Sequence, residues 1–177
     1  MDRRNLLYMG AAAAAGLAGV GVAWLKYGPQ KLTPVQTNAA QDALWAFSFD
    51  TPDGQSQPMS NFRGKPLLLN FWATWCPPCV EELPLLDAFY QEQKAKGWQV
   101  LGLAVDQPSA VRKWLQAKPL GFPVGMAGLS GIELSKSLGN AAGSLPFTVV
   151  FSGSGKLLHR KTGQVTPDDL KLWAALK

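Results

Sequence analysis

The sequence predicts an α/β fold, a mixed β-sheet with helices on both faces, and three stretches carry that prediction. LLLNFW (67–72) and VLGLAVD (100–106) are nearly continuous apolar runs separated by an amphipathic segment, the pattern of a βαβ unit whose strands are covered on both sides. FTVVFS and KLLHRKTG, joined by Gly153-Ser154-Gly155, read as a β-hairpin, so the sheet mixes parallel and antiparallel pairs.

The elements follow in order. LWAFSF (44–49) reads as a strand ending at a Pro52-Asp53-Gly54 turn. After LLLNFW, Val80, Leu83, Leu86 and Tyr90 recur at helical spacing. VLGLAVD is the second buried strand, PSAVRKWLQA (108–117) is a helix, a Gly/Pro-rich patch carrying FPV follows, and GIELSKSLG (131–139) is a short helix with a glycine stop. TPDDLKLWAALK closes the chain as a helix, with Thr166 as N-cap, Pro167 at the first helical position and Asp169 in the capping-box place.

Two segments precede this domain, which we place at 44–177. From Leu6 to Leu25 the chain is uncharged and as long as the ~20 residues a helix needs to cross a bilayer. Arg3 and Arg4 stand before it, as in a twin-arginine export signal or on the cytoplasmic side of an anchor. Residues 1–26 are therefore expected to be an uncleaved membrane anchor, with a cleaved signal as the alternative, and either puts the remainder outside the cytoplasm. Residues 27–43, rich in Gln, Asn and Thr with two prolines and no apolar period, read as a linker.

With 47% apolar residues the chain can fill a core. Its net charge of +5 comes from scattered basic residues, which argues against a nucleic-acid footprint. Nothing in the pattern demands an oligomer, and a monomer is expected.

Chemistry is concentrated at the junction FWATWCPPCVEELP. Cys76 and Cys79 are the chain's two cysteines, and Pro77 after the first suits the opening turn of a helix, which makes Cys76 its N-cap. There the helix's positive end and unpaired amides would favour thiolate over thiol. Cys79 falls one turn deeper on the same face, within reach of Cys76 for intramolecular exchange. Pro77 and Pro78 have no N–H and so withdraw two donors from that thiolate. Trp75 would give the site an apolar rim. The bland readings are a structural bridge, which closes too short a loop to restrain the unfolded chain much, and a metal site, which has one further imidazole, His159, to draw on. His159, beside Arg160 and Lys161, reads as solvated surface.

FWATWCPPC, with Ser144-Leu145-Pro146 before the hairpin strand, resembles the thioredoxin-fold proteins. C-x-x-E-x-P, from Cys79 to Pro84, resembles the TlpA/ResA-like, membrane-anchored thiol-disulfide oxidoreductases. The segment GLAVDQPSAVRKWL is similar to the stretch where that subgroup adds a helix. The resemblance covers Leu44 to Lys177 and implies a thioredoxin-like fold, a Cys76-Cys79 redox disulfide and no cofactor or metal. It assigns Pro146 to a cis-proline loop that offers backbone groups to a client polypeptide, although the subgroup's usual Pro-Thr is Pro146-Phe147 here. Asn70 stands where many thioredoxins carry an aspartate beneath the second cysteine, so the proton-acceptor role is expected at Glu82, three residues after Cys79 on the same helical face. Glu81 should face solvent. The plain alternative for Glu82 is an exposed helix acid.

The expected function is an extracytoplasmic disulfide reductase on the bacterial inner membrane. It would take electrons from a membrane redox partner and reduce exported client proteins, apocytochrome c or copper-site proteins being typical of relatives. A disulfide-donating oxidase and a Cu(I)-carrying module built on Cys76, Cys79 and His159 are the alternatives.

Overall fold

A computed structural model describes residues 34–176. The candidate anchor at 1–26 and the linker residues 27–33 lie outside the described residues. Among the described residues, no helix is long and apolar enough to cross a membrane.

Seven strands among them form one sheet in the order β2-β1-β5-β4-β3-β6-β7. These are β1 (Ser48–Asp50), β2 (Ser56–Pro58), β3 (Leu67–Trp72), β4 (Gln99–Ala104), β5 (Val124–Met126), β6 (Phe147–Phe151) and β7 (Leu157–Thr162). β3, β4 and β5 run parallel, while β6 pairs antiparallel with β3 and β7, and β1 pairs antiparallel with β2 and β5. Five α-helices flank the sheet: α1 (Pro34–Ala46), α2 (Pro77–Gln93), α3 (Pro108–Ala117), α4 (Ser130–Ser137) and α5 (Pro167–Ala174).

Every residue of β3 is buried, as its nearly continuous apolar run requires of a central strand. Alternation along it feeds two cores. Leu68 and Trp72 join Leu83, Leu86 and Trp173 on the side of α2, α3 and α5. Leu67, Leu69 and Phe71 join Leu44, Phe147, Val149 and Leu138 on the side of α1 and α4. On the α2 side, β4 contributes Gly102, where a Cβ would come within 3.0 Å of the Trp72 Nε1, so the glycine lets the indole lie against β4.

The α2, α3, hairpin and α5 segments form where the sequence predicts them, and the α5 capping box is complete, with Thr166 and Asp169 bonding each other's backbone N–H. Two expectations need correction. Residues 34–43 are not a linker but most of α1, and Leu44–Ala46 are its last turn rather than the start of a strand, so β1 begins only at Ser48. Among the side chains described in this helix, those that hold it to the fold lie between Gln41 and Trp45. Leu44 and Trp45 are buried, Trp45 Nε1 donates to the Gly155 carbonyl at 3.2 Å, and Gln41 Oε1 accepts from the Leu157 N–H at 2.6 Å. Those partners come from the β6–β7 hairpin, more than a hundred residues on. The Gly/Pro-rich patch carrying FPV, to which the sequence assigns no element, contains β5, whose three residues are too few to show a period.

Candidate active site

The site begins where β3 runs out. Its last peptide stays tied to β4 by the Val105 N–H, which donates to the Trp72 carbonyl at 2.8 Å. The next residues, Ala73 to Trp75, are held from the side by Asp106. One oxygen of that carboxylate accepts from the Thr74 N–H (2.8 Å) and hydroxyl (2.6 Å), and the other from the Gln107 N–H (2.7 Å). The chain then turns at Cys76, the N-cap of α2, with φ −104° and ψ 101°, and the helix opens on Pro77 and Pro78.

Cys76 and Cys79 are bonded to each other, with Cα atoms 5.3 Å apart. Cys79 is wholly enclosed, whereas Cys76 keeps 5% of its surface open beside Trp75, whose ring is 64% exposed. Cys76 is therefore the member of the pair nearer the surface. Unpaired amides, expected at this helix start, are not what the structure provides. The first two helical residues are prolines, and the next two N–H groups, of Cys79 and Val80, both donate to the Cys76 carbonyl at 3.1 and 3.2 Å. What remains for a Cys76 thiolate is the helix macrodipole, the weaker of the two effects.

Beneath the thiols, Glu82 is buried, with 1% of its surface accessible. The exposed-acid reading is thereby excluded, while Glu81 does face solvent, as expected. One Glu82 oxygen accepts from the Asn70 side-chain amide (2.7 Å) and the other from the Val165 N–H (2.6 Å). Burial pushes the carboxyl up from 4.5 to about 7, even though those two hydrogen bonds and the attraction of Lys161 pull it down. Lys161, on β7, is itself ion-paired with Asp169 of α5. Asn70 also donates to the hydroxyl of Thr148, which stands directly opposite it in the β3–β6 register.

The Leu145–Pro146 peptide is cis. Because Phe71 pairs with Phe147, this loop enters the sheet at the end where the Cys76 turn leaves it. Leu145 packs on the cluster that contains both cysteines. Asn140 braces the loop from behind, donating to the Ser144 carbonyl at 2.8 Å and to the Ser135 hydroxyl at 3.1 Å.

His159 is elsewhere and only partly exposed. It lies in β7, half-buried, with its ring 5.5 Å from that of Trp173. Among the described residues no group of three or more His, Cys, Asp or Glu side chains could hold a metal ion, so the third ligand of the copper reading is not at the thiols.

The sequence thus singles out Trp75, Cys76, Cys79, Glu82 and Pro146 as candidates, but not the residues bonded around them: Asp106, Thr148, Val165, and Asn70 as a partner of Glu82. A signal for two of these existed. LLLNFW and FTVVFS each contain a polar residue, Asn70 and Thr148, among otherwise apolar neighbours, and buried polar groups need each other.

A vicinal dithiol at the head of a helix, carried on a βαβ unit beside a cis-proline loop from an antiparallel strand, defines the class of thioredoxin-fold thiol-disulfide exchangers. The chain belongs to the Redoxin family, whose model matches residues 39–175. It is 32% identical over 120 residues to the thiol-disulfide oxidoreductase ResA of Bacillus thuringiensis subsp. konkukian, covering 67% of each chain. Among solved structures it is similar to a thioredoxin-related protein of Neisseria meningitidis serogroup B (29% identity, 72% of this chain and 96% of that one, TM-score 0.65). A thioredoxin-family thiol:disulfide interchange protein of Chlorobium tepidum is a further match (27% identity, 73% and 93%, TM-score 0.64). The protein is a thiol-disulfide oxidoreductase of the TlpA/ResA-like type.

Proposed function

We propose that the protein works in the reducing direction, outside the cytoplasm, on disulfides of exported proteins. The observation that carries the direction is the set of partners around Cys76. A dithiol becomes oxidising when its reduced form is stabilised. Here two prolines remove donors, the following amides serve the Cys76 carbonyl, and a buried carboxyl lies one turn below. Each of these works against a stable thiolate, so the reduced form gives up its electrons readily.

In the reaction, the Cys76 thiolate attacks one sulfur of the client disulfide. A mixed disulfide forms and the client's other sulfur leaves as thiolate, to be protonated by water. Cys79 passes its proton to the Glu82 carboxylate and attacks the Cys76 sulfur. The mixed disulfide breaks, the second client thiol is released, and two electrons have moved from the dithiol to the client. Trp75 and the Leu145–Pro146 loop are the surface on which the client segment lies. The Cys76-Cys79 bridge is then reduced by a membrane redox partner. The long uncharged segment after Arg3 and Arg4 supports attachment to, or export across, the inner membrane.

Equilibrating the protein with dithiothreitol and glutathione tests the direction. A reductase equilibrates with the former and stays reduced only there, whereas a pair held reduced by a mostly oxidised glutathione buffer would make it an oxidase. A membrane-impermeant maleimide applied to intact, pre-reduced cells tests the location, since a cytoplasmic domain would stay unlabelled.

A further inference from the structure

The middle of β3 poses a question that the exchange reaction leaves open. Asn70 is fully buried in a strand otherwise made of Leu, Phe and Trp, and it spends only its donors. Both N–H bonds of its amide are engaged, one with Glu82 Oε1 at 2.7 Å and one with Thr148 Oγ1 at 3.0 Å. Its Oδ1 is buried without a partner among the described residues. Turning the amide would set its carbonyl oxygen against the Glu82 carboxylate, which accepts only when ionised, so the donor orientation is the one that serves the charged acid. An apolar residue would fit the pattern of the strand without leaving a buried carbonyl unpaired. The donor half of the amide is therefore the part that matters.

We infer that Asn70, oriented by Thr148, is the positioning residue that lets Glu82 ionise inside the apolar face of the sheet and so keeps a proton acceptor one helical turn from Cys79. The inference rests on Glu82 being that acceptor. A carboxylate can exist in this core only if its charge is met by hydrogen bonds or by an opposite charge. Val165 supplies one backbone N–H, from the loop between β7 and α5. Lys161 of β7 acts on Glu82 from a distance and is shared with Asp169 of α5. Its own helix carries the Cys76–Cys79 bridge and the outward-facing Glu81. From β3 comes the Asn70 amide, in direct contact, and from β6 comes Thr148, whose hydroxyl accepts the second N–H and holds the amide in place. Burial lifts Glu82 to about 7, and the Asn70 donor is among the forces that stop it rising further.

The full chain labelled with 13Cδ-glutamate tests this, because Glu82 titrates in view alongside only Glu81, Glu92 and Glu133. Removing a hydrogen bond to a charged group in Asn70→Leu should raise the Glu82 midpoint by about one to two pH units. Thr148→Val, which keeps the shape and loses the hydroxyl, should raise it by less, and Thr148→Ser, which keeps the hydroxyl, should leave it in place. The inflection in the pH dependence of exchange with a small aromatic disulfide should move with each midpoint. A midpoint unmoved in both Asn70→Leu and Thr148→Val overturns the inference, as does a shift in the serine variant as large as in the valine one. If Asn70→Leu does not fold, the valine and serine pair decides alone. Glu82→Gln separates the two claims: should the inflection survive in that variant, Glu82 is not the acceptor, whatever the carboxyl midpoints show.

Discussion

β3 presents the same backbone to two different environments. On the α1 and α4 side, Leu67, Leu69 and Phe71 meet only apolar partners, with Phe71 against Phe147 at 6.0 Å between ring centroids. On the α2 side, Leu68 and Trp72 flank Asn70, and the layer above them holds two cysteines and a buried carboxyl. The first face is built the way a stable core is built. The second carries an unpaired amide oxygen and an acid that burial drives toward neutrality, both of which cost stability. The difference teaches where this fold keeps its chemistry: on one side of the central strand, with the other side free to supply the stability it consumes.

That division can be broken by mutation, and the largest effect should come from the thiols. Cys79→Ala should stop multiple turnover and leave client proteins bonded to Cys76, visible as heavier species on non-reducing gels. A variant that still turns over would remove Cys79 from the reaction. On the opposite face, Phe71→Ala should cost about 3–5 kcal/mol by denaturant unfolding. The pH profile of exchange in the remaining folded protein should not move; a shifted profile would mean that the two faces are coupled.

Glu82→Gln should sharpen the comparison by changing both quantities at once. Its raised pKa means that the wild-type acid contributes its full stability below pH 4.5, the unfolded value, and loses it as pH climbs toward 7. A glutamine has no such loss. The variant should therefore gain on the wild type by about 3 kcal/mol at pH 8 and show no advantage near pH 4, by unfolding at each pH. Its exchange rate at pH 7 should fall about a hundredfold. Equal stability differences at both ends of the range would mean that the acid is not held near neutrality. Smallest of all should be Trp75→Ala. With the ring 64% exposed, melting should hardly change, while the KM for a client protein rises several-fold; an unchanged KM would take Trp75 off the docking surface.

Strong local patterns made much of this legible. LLLNFW occupies β3 residue for residue, PSAVRKWLQA is α3, and the Thr166 box caps α5 as its spacing suggests. Three-residue strands carry no such pattern, which hides β2 and β5 and misplaces the start of β1. α1 escaped because its docking residues meet the β6–β7 hairpin, remote in sequence. The site divides in the same way. The cysteines, their prolines and the helix register of Glu82 lie within a few residues of one another, so spacing finds them. The Asn70–Thr148 pair and the Glu82–Val165 bond span 78 and 83 residues and exist only through strand register and loop placement.

By itself, then, the sequence determined the reactive pair, the turn of helix it sits on and the acid one turn below, since each follows from local geometry and the chemistry of the residue. Tertiary structure alone decided which cysteine lies nearer the surface, that the helix's first amides are spoken for, and that Glu82 is enclosed with Asn70 as its donor. Those outcomes depend on how distant strands stack and how much water they exclude, and exclusion of water is what turns an ordinary glutamate into one that can hold or release a proton near neutral pH.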